Sequence, residues 1–182
     1  MIHFAPEKCL RQCFAEYPAI EYIPVDLKNP NARVYTDITH MSFADNSVDI
    51  AFCSHVLEHV SDDRQAIREI YRVLRADGRA FILVPVGPHP TYEDPAVVEP
   101  EERERLFGQP DHLRMYGMDI QDRLGTAGFE VEVYHLSQIA SDRETRLMKL
   151  DCPGCREIFV CRKPSQAEAS TGGSRSRAGP HV

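Results

Sequence analysis

Three kinds of residue in this chain are of types that do chemistry. Aspartates close two apolar runs, Asp26 at the end of EYIPVDL and Asp37 near the end of NARVYTDI, and the simplest reading of each is a strand-end turn former. Histidine is the side chain whose ordinary pKa suits proton transfer near neutral pH, and His55, His59 and His112 lie beside or between apolar runs. Glu58 and His59 invite a metal reading, but adjacent residues on a helix do not face the same way, so no metal is expected there. CPGC with Cys161 invites a zinc reading. Structural zinc takes four ligands, and only Cys152, Cys155 and Cys161 lie close in sequence, so a turn with fortuitous thiols is expected.

These residues need a frame, and composition limits which one. At 182 residues the chain can build one domain with a sizeable core. A formal net charge of -7 disfavours direct nucleic-acid binding, because no basic stripe is available for phosphates. No apolar run is long enough to cross a bilayer, and the first residues lack the basic and apolar regions of a signal peptide, so neither a membrane nor export is expected. The expected setting is the cytoplasm, with the six cysteines as reduced thiols.

Hydrophobic periodicity supplies the elements. The start MIHFA reads as a strand, and Cys9, Leu10, Cys13, Phe14 and Tyr17 share a face of a first helix. EYIPVDL and NARVYTDI read as short strands, with Pro24 tolerable only where no ladder donor is needed. After the turn at Asp45, Asn46 and Ser47, the run from Val48 to Cys53 suits a buried strand. A helix follows, capped by Ser61, with Ala66, Ile67, Ile70, Tyr71 and Leu74 as its apolar face and Asp77 and Gly78 as its stop. AFILVPV is apolar on both faces, as in a central strand covered on each side. A short helix is expected in EPEERERLF, another in GMDIQDRLGTAGF ending at Gly128, and strands in FEVEVYHL and EIFVCRK. Residues 164–182 are nearly devoid of apolar side chains and read as a disordered tail. The alternation predicts an α/β domain over residues 1–163, a single doubly wound, mostly parallel sheet with ligands at the C-terminal strand edge.

The run from DITHMSFADNSVDIAFCSHVLEHV through RVLRADGRAFILVPV resembles the middle of class I S-adenosylmethionine-dependent methyltransferases, which share its D-N-S-x-D turn and L-E-H segment and end the helix R-V-L-x-x-G-G, where this chain has Asp77-Gly78 in place of the double glycine. The chain departs from that family at its start, where most members carry a glycine-rich loop and this one has HFAPE, with no glycine before Gly78. It resembles a subset with HFAPE at that place, to which TYEDP, ERERLFGQPDHLRMYG and DRLGTAGFEV are also similar.

The resemblance implies a fold, a cofactor and roles. The fold is Rossmann-like, the cofactor S-adenosyl-L-methionine and the acceptor a small molecule. Asp26 matches the acidic position that accepts from both ribose hydroxyls, Asp37 and Ile38 the positions beside adenine, and Ala5, Pro6 and Glu7 the surroundings of the methionine group. Ser54, His55 and Val56 would face the reacting methyl group, with His55 the first choice for a base and His112 the second. Glu58 and His59 are expected to cap and orient the following helix. Residues 88–117 form an insertion expected to cover the acceptor, with Tyr92, Arg114 and Tyr116 as contacts. The runner-up expectation is a catalytically silent relative acting as a binding subunit; a dinucleotide-dependent dehydrogenase is disfavoured because no G-x-G-x-x-G follows the first strand. Family members carry a helix ahead of the first strand, so the chain is expected to be N-terminally truncated, with Met1 an internal or mis-set start.

Overall fold

A computed structural model describes residues 1–30, 32–148 and 156–165. Strands β1 (Ile2–Phe4), β2 (Ile23–Asp26), β3 (Val34–Tyr35), β4 (Val48–Ser54), β5 (Leu74–Leu83), β8 (Glu130–His135) and β9 (Glu157–Arg162) form one sheet in the order β3-β2-β1-β4-β5-β9-β8. All neighbouring pairs from β3 to β5 are parallel, and β9 runs antiparallel to both β5 and β8. Helices α1 (Lys8–Ala15), α2 (Asp63–Val73), α4 (Ile120–Thr126), α5 (Leu136–Ile139) and α6 (Asp142–Met148) join the strands. A separate two-stranded sheet, β6 (Tyr92–Glu93) against β7 (Arg114–Met115), encloses α3 (Pro100–Phe107).

The chain steps outward from β1 to β2 and β3, then returns to place β4 on the other side of β1. That reversal leaves a crevice beyond the carboxyl ends of β1 and β4, where doubly wound sheets bind their ligands. The strands read from apolar runs are present. Pro24 fits within β2 because it uses its carbonyl, which accepts from the Arg33 N–H, and its missing N–H is not called upon. The core joins Ile2, Phe4, Ala51, Cys53, Ala80 and Ile82 of the central strands to Ile67 and Ile70 of α2.

Several local expectations are corrected. The cap of α2 is Asp62, whose carboxylate accepts from the Gln65 N–H at 2.8 Å, rather than Ser61. That helix ends at Val73, five residues before Gly78, because Leu74 already pairs with Val48 as the start of β5. Asp77 takes the left-handed turn position at φ 61°, in the irregular stretch of β5 between the paired residues Leu74 and Arg79. On α1, Leu10 and Phe14 are half-buried while Cys9, Cys13 and Tyr17 are exposed, so the five do not act as one buried face. Helices α5 and α6 had no counterpart in the sequence reading. Cys152 and Cys155, and the tail from residue 166, lie outside the described residues.

Candidate functional site

A cavity of about 380 Å³ opens at the crevice between β1 and β4. Its lining brings together Ala5 from the end of β1, Asp26 from the end of β2, Asp37 and Ile38 from the turn after β3, and His55 and Val56 from the end of β4. Six sequence-predicted site residues thus converge from four separate strand ends.

Both aspartates also do the plainer work expected of them. Asp26 Oδ1 accepts from the N–H groups of Lys28 and Asn29 at 2.8 and 2.9 Å, and Asp37 Oδ1 accepts from the N–H and hydroxyl of Thr39 at 2.8 and 2.7 Å. These hydrogen bonds hold the Asp37 carboxyl below its ordinary pKa. Turn formation and cavity lining are therefore not alternatives: one oxygen anchors the loop and fixes where the carboxylate stands.

HFAPE replaces flexibility with strain and a buried polar tie. Ala5 lies at φ 45° and His55 at φ 52°, so the ends of neighbouring strands β1 and β4 both turn through the left-handed region that L residues rarely take. His3, fully buried in β1, shares hydrogen bonds with Glu7 at 2.8 Å and the Tyr22 hydroxyl at 3.0 Å. Burial raises the Glu7 pKa, but hydrogen bonds from His3, its own N–H and Ser54 outweigh this and leave the carboxyl below its ordinary range. Pro6, Glu7 and Ser54 sit beside the cavity lining rather than in it.

His55 carries the clearest chemical signature. Its Nδ1 lies 3.1 Å from Glu58 Oε1, and Glu58 is fully buried in the single 3-10 turn Leu57–His59. The hydrogen bond raises the His55 pKa above its ordinary value, against burial, which lowers it. A carboxylate can only accept, so Nδ1 carries the proton and Nε2 is left as the basic nitrogen. Sequence reasoning had given Glu58 a capping role; its i+3 spacing from His55 was the available signal.

The insertion is arranged differently from expectation. None of residues 88–117 lines the cavity. Arg114 and Tyr116 are buried, and both reach behind the segment that carries His55: Arg114 donates to the carbonyls of Leu57, Val60 and Ser61, and the Tyr116 hydroxyl donates to Asp63 at 2.7 Å. Asp63 also accepts from Arg123 at 2.7 Å, and Glu93 accepts from both arginines. These contacts brace the cavity wall from behind and hold both side chains outside the cavity lining. Tyr92 is exposed on β6 and packs against Phe107. His112 is buried next to His59, outside the lining.

Residues 5–82 match the family model described as "Methyltransferase domain", a span that contains every cavity-lining residue except Phe4 and runs from just after β1 into β5. Over these residues the chain is a methyltransferase domain of the class I S-adenosylmethionine-dependent type. Among curated proteins, the uncharacterized methyltransferase YcgJ of Bacillus subtilis is 40% identical over 74 residues, 41% of this chain and 28% of that protein. The mitochondrial arginine-hydroxylase NDUFAF5 of Danio rerio is 30% identical over 152 residues, 78% of this chain and 47% of that protein. The chain thus spans less than half the length of these curated relatives. The crystal structure of Bacillus subtilis YcgJ shares the fold, with a TM-score of 0.59 at 22% identity over 90% of this chain and 91% of that one. So does Haemonchus contortus phosphoethanolamine N-methyltransferase 2 in complex with S-adenosyl-L-methionine, with a TM-score of 0.61 at 19% identity over 91% of this chain and 48% of that one. Among the described residues no helix is long and apolar enough to cross a membrane.

Proposed function

We propose that this chain binds S-adenosyl-L-methionine in the cavity between β1 and β4 and transfers its methyl group to a small-molecule acceptor bearing an ionisable hydroxyl. The observation that carries the reading is the convergence of Asp26, Asp37, Ile38 and the Ala5 turn with His55 on one cavity. When bound, the cofactor supplies a methyl group already activated on a sulfonium.

The chain's own residues supply placement and proton handling. Asp26 takes the ribose hydroxyls, for which a carboxylate offers two acceptors. Asp37 takes the adenine amine and Ile38 covers the ring. The turn at Ala5 lets backbone approach the amino-acid end of the cofactor where most relatives use glycine. His55 removes the acceptor proton through Nε2, while Glu58 fixes its tautomer and ring orientation through Nδ1. Because displacement at a sulfonium is intrinsically facile, holding donor and acceptor in line supplies much of the acceleration.

The test is calorimetric titration with S-adenosylhomocysteine, followed by a metabolite screen with radiolabelled cofactor. Stoichiometric binding and label transfer to a small molecule support the reading. Binding without transfer to any small molecule points to a silent or protein-directed relative, and absence of binding ends the proposal.

A further inference from the structure

We propose that Glu58, His59 and His112 form a binding site for a divalent transition-metal ion of the zinc class, set in the wall of the cavity. Among the described residues this is the group of His, Cys, Asp and Glu side chains whose potential ligand atoms come together, one atom from each within 4.8 Å of the others.

Hydrogen-bond accounting is what points to a cation. His112 Nδ1 lies 2.8 Å from the Phe107 carbonyl, which can only accept, so Nδ1 holds the proton and Nε2 presents a bare lone pair. That Nε2 is buried without a partner, and so is Glu58 Oε2. Two buried acceptors cannot satisfy one another, and leaving each unpaired is costly. A cation between them satisfies both. The third donor, His59, has its Nδ1 3.3 Å from Asp111 Oδ2, which leaves its Nε2 as the ligating nitrogen. Both histidines therefore have the outer partner that metal-bound imidazoles keep, a backbone carbonyl for His112 and a carboxylate for His59.

The local backbone explains how neighbours in sequence can share a ligand. On an α-helix Glu58 and His59 would diverge, but Leu57–His59 is one 3-10 turn, and the Leu113 N–H donates to the Glu58 carbonyl, which brings His112 against it. The rings of His59 and His112 meet edge to face with centroids 4.7 Å apart. Bonds of about 2.0–2.1 Å set tetrahedral ligands roughly 3.4 Å apart, so binding closes the group by on the order of 1 Å. His59, half-exposed at the cavity rim, is the member with room to make that movement. Two imidazoles and one carboxylate leave a coordination position open, as in sites where the ion also meets water or substrate.

This inference does not depend on methyl transfer, and its test reads the metal directly. Chelator-treated full-length protein is titrated with Co²⁺ alone and followed by visible absorption and calorimetry. The expected result is one equivalent bound with nitrogen- and oxygen-type d–d bands, displaced by Zn²⁺, lost in His112→Ala and Glu58→Gln, and weakened roughly 10- to 100-fold in Asp111→Asn, which touches only the outer nitrogen of His59. If the buried variants do not fold, as judged by circular dichroism, His59→Ala carries the same test from a half-exposed position. No binding by the wild-type chain overturns the proposal, as does cobalt binding that survives these substitutions or shows thiolate charge-transfer bands, which would place the ion on cysteines.

Discussion

Nδ1 of His55 stands 3.1 Å from Oε1 of Glu58, a half-exposed imidazole at the mouth of the cavity tied to a carboxylate with no solvent contact. The pairing has the geometry by which a buried acid orients a base, and the positive φ of His55 turns the chain at the strand end so that the ring reaches both the cavity and Glu58.

Replacing His55 by Asn is therefore a clean probe, because Asn tolerates the left-handed backbone that most residues do not. With an acceptor in hand, His55→Asn should lower kcat by roughly 10²- to 10⁴-fold while leaving S-adenosylhomocysteine affinity within a few-fold of wild type. Parallel losses in kcat and cofactor affinity would make His55 a packing residue.

The two carboxylates at the cofactor end are separable from their turns. Asp26→Asn keeps an oxygen for the Lys28 and Asn29 N–H groups but exchanges the second acceptor for a donor. S-adenosylhomocysteine binding should weaken by about 1–3 kcal/mol, with little change in melting temperature. Asp26→Ala should lose both binding and local stability. Calorimetry beside thermal unfolding distinguishes the two, and an unchanged affinity in Asp26→Asn would remove this residue from the ribose position.

The bracing network behind the wall predicts a large stability effect from a residue outside the cavity lining. Asp63 is buried and accepts from Tyr116 and Arg123, so Asp63→Ala removes the acceptor these two buried groups share and leaves Arg123 with Glu93 and the Tyr116 hydroxyl with the Leu57 carbonyl. Denaturant unfolding should show a loss of about 3–5 kcal/mol, the range for removing one partner of a buried pair. A loss below 1 kcal/mol would mean that the network is solvated and does not brace the segment.

How much of this was open to sequence reading follows from the range of the interactions involved. β4, α2 and the apolar core of β5 announce themselves through local periodicity, and Asp26, Asp37 and His55 through their place just after apolar runs, so their convergence follows once the strands are ordered. The bracing role of Arg114 and Tyr116 rests on partners more than fifty residues away in sequence, Leu57 and Asp63 among them. A stretch such as QPDHLRMYG reads locally as a solvated connector, because nothing in it reveals that Arg114 will be buried against backbone carbonyls. The role of Glu58 was obscured for a related reason: L-E-H suggests a helix start, whereas the structure makes it a separate 3-10 turn whose acid faces inward.

Acid sensitivity should be traceable to one carboxylate at the sheet's side. Glu69 accepts from Arg72 through both oxygens and from the Met41 N–H at 2.8 Å, and Arg72 in turn holds the carbonyls of Met41 and Phe43, so the pair fastens the loop after β3 to α2. The hydrogen bond from Arg72, opposed by burial and aided by Met41, keeps the Glu69 pKa below its ordinary value near 4.5. A carboxyl with a depressed folded-state pKa binds fewer protons folded than unfolded, so its contribution is complete above pH about 4.5 and declines as pH falls toward the lower folded value. Glu69→Gln keeps an acceptor for Met41 but cannot titrate. The variant should be less stable than wild type at neutral pH, and the gap between their unfolding free energies should narrow as the pH is lowered below 4.5. Urea unfolding of both proteins across that range measures the gap directly; a difference that stays constant would assign the acid dependence to other carboxyls.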